Sequence, residues 1–211
     1  MKLKIFFTAS LFLNLNASQL FSQAKQLTAE EIKENDISEF TKLPVYKAFS
    51  YNDKGGYYVL FYCEDQLNKT KKDTTNTKIG AHCLLHDHGG FVEKWKITDV
   101  LDTKIYPDGG AEKNIWFWTK YCSHTDIDGD KLIDPIIVYG TKTDEGFNRI
   151  KIFTVYKGKK YVIRAVECVL DNCRTFKKDE SYSQLPKSVN TYINNLLEKI
   201  RKEQNVILQN G

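Results

Sequence analysis

Four aspartates stand close together in residues 126–134, which read DIDGDKLID. They are Asp126, Asp128, Asp130 and Asp134, at positions 1, 3, 5 and 9 of the segment. Four carboxylates at this spacing repel one another unless a cation lies among them. Ca²⁺ suits them because it accepts six to eight hard oxygen ligands at roughly 2.3–2.6 Å. The spacing therefore predicts a calcium-binding loop.

The loop does not follow the EF-hand pattern, which needs Gly at position 6 and a bidentate Glu at position 12. Here those positions hold Lys131 and Ile137. The segment resembles instead the calcium loops of FG-GAP repeats, which end in an Asp at position 9 and run directly into a strand. This resemblance implies four side-chain ligands and one backbone carbonyl, namely Asp126, Asp128, Asp130, Asp134 and Leu132. Lys131 departs from that family, whose loops usually have Gly there.

Aspartates are also good turn formers, so the segment has a second, metal-free interpretation as a bend between strands. One or two acidic residues would suffice for a bend, whereas four converging charges would destabilise it. If all four carboxylates bind the ion, none is left to act as a general base. We therefore expect a structural Ca²⁺ rather than a catalytic one.

Three of the four histidines lie in residues 82–88, and His86 and His88 would project from the same side of a strand. Two imidazoles on one face can share Zn²⁺ or Cu²⁺. A metal-dependent hydrolase using His86 and His88 is therefore an alternative function, although their spacing matches no zinc signature. The other interpretation is a hairpin end, where polar side chains meet solvent and two glycines turn the chain.

The first 24 residues have the form of a signal sequence. Lys2 and Lys4 precede an apolar stretch, and small residues at Ser22 and Ala24 suit a signal peptidase. The net charge of +4 falls to +2 once the two lysines are removed, which gives no basic footprint for nucleic acid. No later segment is apolar enough over a sufficient length to cross a membrane. We expect export to the periplasm or cell surface.

Five cysteines in an exported protein suggest disulfide bonds. Cys168 and Cys173 flank a turn-like stretch and are the first choice for a bridge. Cys63 and Cys83 are the second choice, although connectivity cannot be read from sequence. One cysteine must remain unpaired, and a buried, unreactive thiol is its default interpretation.

The remaining pattern predicts one α+β domain over residues 25–211. A capping box at Thr28 and Glu31 begins an N-terminal helix region in 25–43. Apolar residues at three- and four-residue steps predict a C-terminal helix in 185–208. The β-rich core, 56–168, is expected to be an antiparallel sheet of about seven strands. The predicted strands are 57–63, 77–85, 91–97, 115–121, 135–141, 150–156 and 161–168.

Several stretches resemble a family of small secreted proteins of Gram-negative bacteria associated with surface polysaccharide biosynthesis. They are 87–95, 114–122, the acidic loop and 155–161. The resemblance implies a cell-envelope setting and a part in lipopolysaccharide or capsule production, and it brings no catalytic residues. We expect a non-catalytic protein that binds an envelope glycan or another envelope protein. A periplasmic inhibitor or immunity protein is a further alternative. Five aromatic residues are candidates for stacking on sugars: Tyr57, Tyr58, Trp95, Trp116 and Trp118.

Overall fold

The structure is a computed structural model that describes residues 24–70, 73–105, 110–168 and 172–208, with only the backbone described at Asn148. The predicted signal sequence, 1–24, lies outside these ranges except for Ala24. The strands within them are β1 (Lys25–Gln26), β2 (Val45–Asp53), β3 (Gly56–Glu64), β4 (Asn68–Lys69), β5 (Thr74–Thr75), β6 (Lys78–Asp87), β7 (Gly90–Val100), β8 (Asn114–Phe117), β9 (Ser123–Thr125), β10 (Asp134–Lys142), β11 (Phe147–Tyr156), β12 (Lys159–Val166) and β13 (Thr175–Lys178). The α-helices are α1 (Ala29–Glu34) and α2 (Lys187–Gln204), and short 3₁₀ helices span Ile37–Phe40, Thr119–Tyr121 and Glu180–Gln184.

The strands form two main antiparallel sheets. Sheet 1 has the order β1-β2-β3-β6-β7, and sheet 2 has the order β13-β12-β11-β10-β8, with β9 also paired to β10. Strands β4 and β5 form a separate two-stranded ribbon. The α+β class is therefore confirmed, but the prediction of a single sheet of about seven strands is wrong. The described strands divide into sheets of five, six and two.

The two main sheets face each other across an apolar layer. Leu60, Tyr62 and Ala81 of sheet 1 pack there with Ile137 and Tyr139 of sheet 2. Both central strands are also buried on their other face, since β3 is buried from Val59 onward and β10 is buried from its first residue to Thr141. A sheet buried on both faces needs cover on both sides. The helices supply it, giving four layers.

Helix α2 covers the outer face of sheet 2. Its buried residues recur at three- and four-residue steps and pack on Val138, Ile152 and Ile163: Val189, Ile193, Leu196, Leu197 and Ile200. The helix lies within the predicted range 185–208 and ends where Asn205 takes a left-handed backbone (φ +53°), a common helix stop. None of the helices in the described part of the chain is long and apolar enough to span a membrane.

The N-terminal elements cover the outer face of sheet 1. The predicted capping box is present, with Thr28 and Glu31 bonding to each other's backbone N–H groups. The α-helix ends at Glu34, however, and a 3₁₀ helix continues to Phe40. Ile37 in that 3₁₀ helix packs on Ala48, Val59, Phe61 and Leu84 of the sheet.

One predicted strand differs in position. The sequence predicts a strand over 115–121, and because Ile115, Trp116, Phe117 and Trp118 are apolar on both of its faces, it predicts a central one. Strand β8 ends at Phe117 and lies at the edge of sheet 2, followed by a 3₁₀ helix. Its apolar faces are nevertheless covered, because the opposite sheet lies on one side and Phe147 on the other.

A buried ionic cluster joins the two sheets. Arg149 of β11 donates from Nε and Nη2 to the two carboxyl oxygens of Glu112, at 2.6 Å each. Asp99 of β7 accepts bonds from Lys151 (2.7 Å) and Tyr139 (2.9 Å), and Arg149 lies 3.4 Å away. Burial alone would raise the pKa of Asp99 and Glu112, but these cationic partners hold each pKa below its ordinary value. The cluster therefore stabilises the charged form of both carboxyls.

We predict that Arg149→Met destabilises the protein by about 3–5 kcal/mol, because it leaves the buried carboxylate of Glu112 without this cation and leaves Asp99 with the cation of Lys151 alone. Urea unfolding at pH 7 measures the change. The matched control is Arg164→Met on neighbouring β12, since Arg164 pairs with Asp179 at a half-exposed position and should cost at most about 1 kcal/mol.

The difference between wild type and Arg149→Met should also shrink in acid. Carboxyls whose pKa is lowered by folding stabilise the native state above their unfolded pKa of about 4, and that stability disappears as the pH falls through the folded pKa. Equal losses for the two arginine variants at pH 7 would contradict the role assigned to the cluster.

Candidate functional site

The acidic loop connects β9 to β10 and brings three predicted ligands together. Carboxyl oxygens of Asp126, Asp128 and Asp130 lie within 4.8 Å of one another, and all three residues are half-buried. This separation is about twice a Ca²⁺–oxygen distance, so three such atoms fit around one ion. The structure thus groups three of the four predicted aspartates.

Backbone N–H groups hold these carboxylates in place. Asp126 accepts from Gly129 (2.7 Å) and Lys131 (2.9 Å), and Asp130 accepts from Leu132 (2.9 Å). Gly129 and Lys131 both have left-handed backbones, with φ of +82° and +71°. Lys131 therefore adopts a backbone region that favours Gly, at some steric cost. The side chains are oriented before any ligand arrives.

The hairpin between β11 and β12 contributes side chains to the loop. Tyr156 donates from its hydroxyl to Asp128 at 2.8 Å, and the Lys157 ammonium lies 3.2 Å from Asp130. Lys157 is the only cation paired with the three clustered aspartates in the described residues, and it is more than half exposed. It leaves most of the negative charge uncompensated.

The hairpin between β2 and β3 of sheet 1 contacts the same loop. The Lys54 N–H donates to the Lys131 carbonyl at 2.9 Å. The Ile133 N–H donates to Asp53 at 3.1 Å. Because the loop itself belongs to sheet 2, these bonds connect the ends of both sheets.

Asp134 differs from the other three aspartates. It begins β10, is 2% exposed and accepts a bond from the Ile127 N–H at 2.9 Å. Burial, followed by the charges of Asp128, Asp130 and Asp126, raises the pKa of Asp134 to about 6. It is not part of the cluster of three, and its direct ligation and that of the Leu132 carbonyl stay predictions. The raised pKa reflects the burial of Asp134 first and the negative charges of the three neighbouring aspartates second.

The residues present fit a hard divalent cation. Two unit charges 4.8 Å apart repel by roughly 3 kcal/mol at an effective dielectric of about 20, and three carboxylates make three such pairs. A Ca²⁺ ion would convert this repulsion into attraction, and oxygen-only donors are what Ca²⁺ prefers. The cluster contains no histidine or cysteine, the ligands typical of zinc sites.

His86 and His88 do not share a strand face. Strand β6 ends at Asp87, and His88 occupies the turn with φ +47° and its side chain in solvent. The His86 ring lies against Tyr57 and Phe91, with centroids 6.3 and 5.4 Å away. Among the described residues, these histidines belong to no group of three metal-ligating side chains. The structure therefore does not support the second metal site.

The other two histidines are engaged elsewhere. His82 is buried, stacks on Phe61 at 4.8 Å and bonds to Glu93 through Nδ1 at 2.6 Å. His124 shares a 2.7 Å hydrogen bond with the Tyr62 hydroxyl. Burial lowers the pKa of His124 to about 4, so the ring is neutral at physiological pH. Both side chains have structural partners.

The cysteines follow one of the two predicted pairings. Cys168 and Cys173 form a disulfide. The predicted bridge between Cys63 and Cys83 is absent, because the two thiols lie on opposite faces of sheet 1. Cys63 stands opposite Gly80 on the outer face, whereas Cys83 stands opposite Leu60 on the inner face.

The three free thiols are poor nucleophiles. Burial raises the pKa of Cys83 to about 12 and that of Cys122 to about 11, and it also raises the pKa of Cys63. A thiolate, rather than a thiol, is the reactive form. The sequence analysis predicted one unreactive thiol, and in the structure all three free thiols have this character.

A polar cleft is the feature that sequence analysis missed. It encloses about 520 Å³ beside Glu64 and lies where sheet 1, sheet 2 and the β4–β5 ribbon meet. We call it the Glu64 cleft. Its lining is drawn from distant parts of the chain: Tyr46, Glu64, Gln66, Lys69, Thr70, Asp73, Thr74, Asn76, Asn114, Trp116, Phe117 and Lys142.

The five aromatic residues proposed for sugar stacking do not form one surface. Tyr58 stacks on Tyr51 at 5.2 Å, and Trp118 is 6% exposed within the core. Trp95 packs against the layer between the sheets. Only Trp116 lines the Glu64 cleft.

Comparison of the chain with known proteins finds no matching family model, no matching curated protein and no matching solved structure. The geometry of the acidic loop and of the Glu64 cleft is therefore the basis for a functional proposal.

The cysteine arrangement predicts the thiol count of protein purified without reductant. Ellman's reagent should find three thiols in urea and almost none in native buffer, where Cys63 and Cys83 are buried and a raised pKa keeps all three thiols protonated. Full reduction before unfolding should raise the count to five. A count of one in urea would show that a second bridge exists and contradict this arrangement.

Proposed function

We propose that this chain is an exported, non-catalytic cell-envelope protein whose loop 126–134 holds a structural Ca²⁺. It acts in surface polysaccharide biosynthesis, in the production of lipopolysaccharide or capsule, by binding an envelope glycan or another envelope protein. The observation that supports the calcium site most is the convergence of Asp126, Asp128 and Asp130 within 4.8 Å. Asp134 and the Leu132 carbonyl complete the proposed ligand set with water.

The position of the loop supports a structural role. Its contacts run to the β2–β3 hairpin through Lys54 and to the β11–β12 hairpin through Tyr156. An ion that neutralises the loop therefore stabilises the junction of both sheets. The clustered carboxylates accept backbone or side-chain bonds, and Asp134 is buried, so a free general base is missing from this group.

The alternative hydrolase receives no support from the geometry. His88 is in solvent beyond the end of β6, and His86 packs against aromatic rings. An inhibitor or immunity role has no specific observation in its favour.

Chelation should lower the melting temperature. We predict that EDTA reduces the Tm and that excess Ca²⁺ restores it, because a ligand that binds only the native state at 100 times its Kd adds about 2.7 kcal/mol. Asp128→Ala should abolish this response. Differential scanning calorimetry of the full chain measures it, with Mg²⁺ and Zn²⁺ tested in parallel.

The matched control is Asp144→Ala, since Asp144 is an exposed acid paired with Lys113 outside the loop. This variant should respond to EDTA and Ca²⁺ as the wild type does. A wild-type melting curve that chelation leaves unchanged would refute the calcium site.

The partner should be retained from envelope extracts by the immobilised protein. Periodate destroys the vicinal diols of glycans and protease destroys proteins, so pretreating the extract separates the two classes. We expect retention to be lost after one of the treatments. Retention no greater than on beads carrying heat-unfolded protein would contradict envelope binding.

A further inference from the structure

The Glu64 cleft has the size and position of a ligand site. Its volume of about 520 Å³ falls within the range of roughly 300–1,000 Å³ typical of small-molecule sites. Three sheets contribute to it, through Glu64 of sheet 1, Asn114 of sheet 2 and Thr74 of the ribbon. Junctions between packed units are where such sites preferentially occur.

Buried polar side chains form its floor. Glu64, Asn76 and Asn114 are 4%, 1% and 6% exposed. Asn76 donates to Glu64 at 3.0 Å, and its own N–H donates to the Asn114 side-chain oxygen at 2.7 Å. The Phe117 N–H donates to the other Glu64 oxygen at 3.2 Å. These bonds fix planar amide and carboxyl groups before a ligand binds, which reduces the entropy lost on binding.

Three aromatic residues line the cleft, and two of them, Tyr46 and Trp116, are not fully buried. Tyr46 is the extra residue of a bulge in β2, between the pairs Val45–Cys63 and Lys47–Tyr62, and is 41% exposed. Bulges redirect a side chain and are frequent beside functional sites. Trp116 is half-buried and packs against other aromatic side chains.

Trp116 contacts two neighbouring aromatic rings and also lines the cleft. Its ring lies 6.0 Å from Trp118 and 6.1 Å from Phe147, measured between centroids. The indole is therefore a rigid platform rather than a mobile surface residue. Rigid aromatic anchors give contact area at a low entropic cost.

The charges of the cleft are mixed. Lys69, Lys142 and Asp73 line it, and the Lys69 ammonium donates to Gln66 at 3.1 Å. Burial raises the pKa of Glu64, while the hydrogen bonds from the Phe117 N–H and the Asn76 side chain oppose that shift. Neither a strongly anionic nor a strongly cationic ligand is selected by this arrangement.

We propose that the Glu64 cleft binds a saccharide, with a sugar ring against Trp116 or Tyr46 and its hydroxyl groups on the polar floor. A saccharide has apolar C–H faces for aromatic rings and many hydroxyls for amides and carboxyls. One ligand would then contact both the aromatic walls and the polar floor of the cleft. This inference rests on the glycan-binding form of the proposed function, and it adds the site and the chemistry of recognition.

The test uses immobilised lipopolysaccharide and capsular polysaccharides from Gram-negative bacteria, and the oligosaccharides released from them by mild acid. Wild-type protein should bind at least one of these, and Tyr46→Ala and Trp116→Ala should each weaken binding by about tenfold or more. Glu64→Gln should weaken it as well. Circular dichroism verifies that each variant is folded.

Matched controls lie outside the cleft. Tyr192→Ala removes a tyrosine of similar exposure (36%) from α2, and Trp95→Ala removes a tryptophan from β7. Both should bind as the wild type does. Asp128→Ala, assayed below its melting temperature, should also bind normally, because the acidic loop does not line the cleft.

The outcomes separate the two proposals. Unchanged binding by folded Tyr46→Ala and Trp116→Ala would overturn the cleft while leaving glycan binding intact. A wild-type protein that binds none of these saccharides would overturn the cleft and the glycan partner together, whereas its response to Ca²⁺ would be unaffected.

Discussion

The central strands β3 and β10 are apolar on both faces, and this constraint determines the layered architecture. Each strand would expose one apolar face in a sheet covered on a single side. Facing the sheets toward each other buries the inner faces, and the helical elements bury the outer ones. This requirement explains why the N-terminal 3₁₀ helix and α2 pack on the outer faces of the two sheets.

The same strands place the two candidate sites at opposite ends of the molecule. Strand β10 begins at Asp134 beside the acidic loop and ends at Lys142 in the Glu64 cleft. The β2–β3 hairpin likewise contacts the loop through its turn and reaches the cleft through Tyr46 and Glu64. Nine residues of strand separate the ends by roughly 25 Å. An ion in the loop would therefore stabilise the strands that carry the cleft without touching its ligand.

Local signals in the sequence predicted much of the secondary structure. Six of the seven predicted strands are present close to their predicted bounds, because their β-branched and aromatic residues bound by turns describe local geometry. The seventh, 115–121, is a strand only as far as Phe117. Strand β2 was missed, since its bulge at Tyr46 breaks the two-residue alternation. The division into two sheets was also missed, because pairing depends on contacts between residues far apart in the chain.

The sequence likewise predicted the candidate site made of neighbouring residues and missed the one made of residues far apart in the chain. The three clustered aspartates of the acidic loop were found because nine consecutive residues contain them. The Glu64 cleft was not, because its floor joins Glu64, Asn76 and Asn114 across 50 residues of sequence. The sequence pattern also does not show that β6 ends at Asp87, which places His88 in a turn and off the strand face of His86.

Anomalous diffraction from crystals grown with abundant Ca²⁺ tests the calcium site most directly. We expect a calcium peak in the 126–134 loop, roughly 2.3–2.6 Å from oxygens of Asp126, Asp128 and Asp130. A well-ordered loop in which those carboxylates bond only to backbone and to Tyr156 and Lys157, with no anomalous peak among them, would contradict it.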